Sequence, residues 1–210
     1  MRDRGSRIYN FSSRVVSNKN LKGSNGPRMP FTWNELITVA TLAKAKNQKL
    51  SLFILLGGYL GLRYSEIVQI SKKMILNKFY KIYQKKTKKY KSGIIGKGFY
   101  KYCRALGIDL KLLPDMPFLS DRKEGAFICP THVNTEIKKL ASKIGKTETE
   151  VKFISSHSLR KTYAFRIYEN AEDKTAALVE IAEHLGHKST DVTRKYLGLT
   201  KKNVAKLFDT

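Results

Sequence analysis

Apolar positions repeat with helical spacing over most of the chain and alternate with polar ones over one short stretch. From Thr32 the run "TWNELITVATLAK" sets Leu36, Ile37, Val39, Ala40 and Ala43 on one helical stripe. The Thr32 to Glu35 spacing is that of a capping box, so a helix starts there. The next run, from Leu50 to Leu60, is apolar nearly all round, the pattern of a helix sunk in a core. At "LRYSEIVQI" a short helix carrying Ile67, Val68 and Ile70 is expected, capped by Ser65, with Arg63 just ahead of it. The segment "KFYKIYQKKTKKYKSGIIG" replaces helical spacing with aromatic and β-branched residues around a cationic centre, and Gly93 limits its far arm. It predicts strand, turn, strand. Helical patterns return over about 97–106, 131–144, 157–169, 175–185 and 190–196, with Gly186 as a stop signal and Ser189 as a start signal. The expected class is mainly α with a small antiparallel β-sheet (α+β), without internal repeats. Residues 1–30 show no periodicity, mix Arg, Ser, Asn and Gly, and close on prolines, so a basic arm or linker is expected ahead of a folded domain at 31–210.

Charge sharpens this picture. Lys and Arg number 41 against 17 acids, a net charge of +24 over 210 residues, spread along the whole chain. Such a surplus suits a polyanionic partner, most simply nucleic acid; a basic ribosomal protein or one that lies on a membrane surface shares the composition. Cys103 and Cys129 stand far apart, with no CxxC and no secretory signal, which fits a reducing cytosol. The most apolar run, "LSLFILLGGYLGL", is shorter than the roughly 20 residues that span a bilayer. The expectation is a cytoplasmic, nucleoid-associated protein with no membrane contact.

The chemistry-bearing residues cluster late. His157 and Arg160 stand three residues apart and share a helix face; His187 follows the Gly186 turn; Tyr196 lies nine residues further on; and Arg63 follows a glycine far upstream. Any one alone has a plain structural reading, as a surface cation or a tyrosine at a core edge. Together, "GLRYSE", "HSLRKT" and "LGHKSTDVTRKY" resemble the ordered motifs of the tyrosine recombinases, the family of phage integrases and chromosome-dimer resolvases, over about residues 31–199.

The resemblance implies that Tyr196 is a nucleophile that joins a DNA 3′ phosphate, that Arg63 and Arg160 clamp the scissile phosphate, and that His157 and His187 flank it. It implies a hairpin lysine that protonates the leaving 5′ oxygen. Lys86, before Thr87, fits that place, while Lys85, Lys88 or Lys89 would take it on a shift of register. Lys161 stands where the family often has histidine and receives no catalytic role. His132 and His184 match no motif position and are expected as ordinary helix-surface or cap residues.

The chemistry agrees with the inventory. A covalent phosphotyrosine turns one hard displacement into two reversible ones, and arginine forks stabilise the transition-state charge without a metal. Glu66, Glu180, Glu183 and Asp191 are scattered rather than clustered for a two-metal nuclease, and His184 with His187 lacks a third ligand at a supporting spacing. No cofactor, metal or ATP is expected. The implied partners are double-stranded DNA and further copies of the chain, in a tetramer on paired sites.

Three rivals stand beside this reading: a helix-turn-helix regulator, which leaves Arg63 and the hairpin lysines unexplained, a type IB topoisomerase, and an inactive relative kept for binding. Recombinases of this family usually carry a further helical domain ahead of the catalytic one, so the chain is either a compact type or a fragment. In the tail, Val204, Leu207 and Phe208 form a small apolar stripe expected to dock on its own domain or on a neighbouring subunit.

Overall fold

The computed structural model describes residues 28–85 and 87–199. Its elements are α1 (Trp33–Lys44), α2 (Gln48–Leu60), α3 (Tyr64–Ile67), α4 (Lys72–Leu76), β1 (Phe79–Gln84), β2 (Lys89–Ile94), α5 (Lys97–Ala105), α6 (Pro130–Lys143), α7 (Glu148–Lys152), α8 (Ser156–Asn170), α9 (Lys174–Leu185) and α10 (Thr190–Tyr196). The mainly helical class with one small sheet is as expected, and the capping box at Thr32 forms.

α2 is the axis of the main core. Every residue from Leu50 to Gly58, and Leu60, is buried along it. It packs between α1 and α8, and its two mid-helix glycines mark the contacts. A Cβ on Gly58 would lie 2.3 Å from Leu36 Cδ2 of α1, and one on Gly57 would lie 2.8 Å from Leu159 Cδ1 of α8. The helix stops at Gly61, which is left-handed at φ 63° and lies against the Tyr163 ring. Met29 and Phe31 are buried in the same core, and the Phe31 N–H donates to Thr162 Oγ1 at 2.9 Å, so the chain just ahead of α1 is seated on α8.

α8 joins two clusters. Leu159 belongs to the main core, while Ala164 packs with Leu178, Ile181, Leu185 and Leu197 in a smaller one built from α8, α9 and the end of α10. Arg160 falls between them, at the seam.

β1 and β2 pair antiparallel, from Phe79 opposite Ile94 to Gln84 opposite Lys89. Alternation sends Tyr80 and Ile82 inward and leaves Phe79, Lys81 and Tyr83 exposed. The Gln69 side-chain amide donates to Tyr83 O at 3.0 Å and accepts from the Tyr83 N–H at 2.9 Å, pairing like a short strand with the outer edge of β1.

Two local expectations change. The short helix after Gly61 is capped by Arg63 and not by Ser65, which lies inside it, because the Glu66 carboxylate reaches back to the Arg63 N–H at 2.8 Å. α4 and α7 were not expected; each is five residues long, too short for an apolar period to show.

Candidate active site

The end of α9 explains why cations collect beside it. The His187 N–H donates to Ala182 O at 2.8 Å and the Gly186 N–H to Glu183 O at 3.0 Å, the paired bonds of a helix closed by a left-handed glycine. That turn leaves the carbonyls of His184 and Leu185 at the negative end of the helix dipole. Three cations from three other elements take them. Arg160 of α8 donates from Nη2 to Leu185 O at 2.5 Å and from Nη1 to Gly61 O at 2.7 Å. Arg63 donates to the same Leu185 O at 3.3 Å, and Lys91 of β2 donates to His184 O at 2.7 Å.

Glu66 holds the two arginines in register. Its Oε1 accepts from Arg63 Nη1 at 2.8 Å and from Gln84 Nε2 at 3.0 Å, while Arg160 Nη1 lies 3.7 Å from Oε2. Burial alone would push this carboxyl up; the Arg63 hydrogen bonds and the Arg160 charge outweigh it and hold Glu66 below the usual carboxylate range. Arg160 is 3% exposed, and burial, then Arg63, draw its pKa down to about 10, so it stays charged at neutral pH. Two guanidiniums and an ammonium around one carboxylate make a net positive cluster, suited to an anion.

His187 and Tyr196 meet through α10. His187 Nδ1 lies 2.9 Å from Oγ1 of the buried Thr193, and its ring stands edge-on to Tyr196 with centroids 5.2 Å apart. One short helix therefore carries both the tyrosine and the hydroxyl that orients the imidazole. Tyr196 Oη is buried with no hydrogen-bond partner among the described residues. Burial pushes the phenol up to about 12, although Arg160 and Arg63 pull the other way. His157 lies in the first turn of α8 with an exposed side chain; loss of water on its protein side, then the charges of Arg160, Arg28 and Arg63, hold its imidazole below the ordinary value.

The fold thus brings Arg63, Arg160, His187 and Tyr196 together, with His157 one helical turn before Arg160. Lys86 lies outside the described residues, and Lys85, Lys88 and Lys89 are exposed around the hairpin turn. Among the described residues no three His, Cys, Asp or Glu side chains gather so as to hold a metal ion, and no helix is long and apolar enough to cross a membrane.

A model described as the phage integrase family matches residues 31–203. The chain belongs to the phage integrase family. No curated protein matches it by sequence. Its fold is that of solved tyrosine recombinases. XerA recombinase superposes with a TM-score of 0.61 at 20% identity, over 88% of this chain and 66% of XerA. XerH, in a post-cleavage complex with palindromic difH, gives 0.58 at 22% identity, over 96% of this chain and 58% of XerH. The catalytic domain of bacteriophage HP1 integrase gives 0.53 at 15% identity, over 87% of this chain and 94% of that domain. The chain therefore spans about two thirds or less of XerA and XerH, and nearly all of the HP1 domain.

Within this family member, four further residues shape the site. Glu66, read as one of several scattered acids, is buried against both arginines; its spacing from Arg63 was visible, and the arrival of Arg160 and Gln84 was not. His184 is no surface histidine: its Nε2 lies 2.6 Å from Leu60 O, its ring packs on Tyr163 at 4.8 Å, and burial, then Lys91, draw its pKa down to about 4. Lys161 is buried, with Nζ 5.9 Å from the Tyr196 ring centroid and 5.8 Å from that of Phe165, and burial lowers its pKa to about 8. Lys91 is the fourth.

Proposed function

We propose that this chain is a site-specific recombinase or integrase that cuts and rejoins double-stranded DNA through a covalent 3′-phosphotyrosine on Tyr196, without metal or ATP. The observation that carries this reading is the convergence of Arg63 and Arg160 on the carbonyl of Leu185, two residues ahead of the imidazole that stands edge-on to Tyr196.

In this scheme Tyr196 Oη attacks the phosphorus, the Oη–P bond forms, and the P–O5′ bond breaks to leave a 5′ hydroxyl. Arg63 and Arg160 hold the non-bridging oxygens, where transition-state charge grows. With a phenol pKa of about 12, almost no phenolate exists at neutral pH, so the proton must leave during attack. In this scheme His187, oriented by Thr193, receives it once Oη has moved to the phosphate, and His157 supplies the second imidazole. A hairpin lysine, assigned to Lys86, gives its proton to the leaving 5′ oxygen. The buried Oη must move outward to meet a phosphate, so attack waits on DNA. Religation reverses each step. We assign residues 1–30 as a basic arm, its last residues seated on the domain at Met29, and 31–210 as the catalytic unit, acting as a tetramer on paired sites in the cytoplasm, at the nucleoid.

The test is trapping on a nicked suicide duplex. The chain should form an adduct that survives denaturation and persists in EDTA. Tyr196→Phe should form none while binding the duplex about as well, since it loses one hydroxyl and no charge. Arg63→Ala and Arg160→Ala should slow cleavage by about 100-fold or more with a much smaller change in affinity. Adducts in Tyr196→Phe, or their loss in chelator, would sink this reading.

A further inference from the structure

Lys91 sits where an ammonium is costly. It projects from the inner face of β2, opposite Ile82, into the cation cluster, and it donates to the backbone carbonyl of His184 at 2.7 Å. Burial, then the Arg160 charge, draw its pKa down to about 8, and Glu66 offsets this only in part. A neutral side chain of the same length would fill the space without those penalties, losing only the hydrogen bond to His184 O. Stability alone therefore gives no strong reason for a lysine here.

Its position in the hairpin gives one. Exposed Lys85 and Lys88 lie in the turn between Gln84, the last residue of β1, and Lys89, the first of β2. Two side chains close to that turn tie the hairpin to the clamp: Gln84 to Glu66 at 3.0 Å, and Lys91 to the end of α9, one residue before the carbonyl that both arginines share. We infer that Lys91 is a positioning residue that fixes the hairpin against the arginine clamp, so that the turn lysine meets the leaving 5′ oxygen of a phosphate held by Arg63 and Arg160. Lys91 neither takes nor gives the proton in this scheme. It sets the distance between two groups that act on opposite ends of one breaking bond, and small errors in such a distance are expensive in rate.

The inference rests on the leaving-group role proposed for a turn lysine, and one experiment separates the two. Cleavage is measured on an all-oxygen duplex and on one with a 5′-bridging phosphorothiolate, whose sulfur leaves without needing a proton. Lys91→Met should melt at or above the temperature of the parent chain yet cleave the oxygen substrate about 10- to 100-fold more slowly, a part of what a general acid contributes. Sulfur should restore its rate, and Lys91→Arg, which keeps the donor, should stay within a few-fold of the parent on both substrates. A lower melting temperature with equal slowing on both duplexes would reduce Lys91 to a structural residue and overturn the inference, as would unchanged cleavage of the oxygen substrate. Lys91→Gln gives the same oxygen-to-sulfur comparison if the methionine variant does not fold.

The parallel series Lys85→Ala, Lys86→Ala, Lys88→Ala and Lys89→Ala tests the underlying reading. If sulfur rescues none of these and not Lys91→Met, the leaving-group role itself fails. If it rescues a turn variant but not Lys91→Met, only the positioning role fails. If it rescues Lys91→Met while every turn variant cleaves normally, Lys91 is itself the acid, and the positioning role again falls.

Discussion

His184 bonds from both ends of the residue: its ring to Leu60 O at the close of α2, and its carbonyl to Lys91. A neutral imidazole whose Nε2 hydrogen faces Leu60 O suits this place, and a charged one must form beside Lys91 and Arg160, with Glu66 opposing them. Because the folded pKa of about 4 lies below the ordinary 6.5, the unfolded chain binds a proton over that interval that the fold refuses. The stability present above pH 6.5 is lost as pH falls toward 4, at up to about 1.4 kcal/mol per pH unit. Urea midpoints measured between pH 7 and pH 5 should show that slope in the parent chain and lose most of it in His184→Gln; an unchanged slope would place the titration elsewhere. The sequence motifs singled out Arg63, His157, Arg160, His187 and Tyr196 as candidates because each sits in a run of neighbours with a fixed spacing. The contacts of Glu66, Lys91 and His184 were not legible, since they form only where segments far apart in the chain meet.

α2 shows the same limit for an element. Its apolar run predicts a buried helix, and glycine costs a helix about 1 kcal/mol relative to alanine. Packing explains why Gly57 and Gly58 stand there nonetheless. Gly58→Ala should gain helix propensity but drive its methyl into Leu36, 2.3 Å away, for a net loss of about 1–2 kcal/mol. Leu36→Ala alone opens a cavity, and the double variant should be more stable than the sum of the two losses allows, a coupling that denaturant melts measure directly. Additive losses would show that the methyl is accommodated without Leu36. α7 carried its own signal in the Thr147 and Glu150 capping box, but no apolar period stood behind it to be counted. α9 was legible through its glycine stop, although nothing in the run told that its last two carbonyls would gather three cations.

At the scale of the molecule, the net charge of +24 pointed to a nucleic-acid partner without saying how copies of the chain meet on it. The tail stripe of Val204, Leu207 and Phe208 lies outside the described residues and bears on that question. Deleting residues 202–210 should leave half-site binding intact, lower assembly on paired sites and lower complete recombination; a truncated chain that assembles and recombines normally would rule out an intersubunit role. The two clusters joined by α8 place Arg160 at their seam, so the arginine pair depends on both halves of the fold keeping their relative position. Its meeting point is the oxygen of Leu185. That oxygen belongs to the main chain and is present whatever amino acid occupies position 185. No amino-acid substitution at position 185 can delete it, and mutation reaches this joint only indirectly, by altering how the turn at Gly186 aims it.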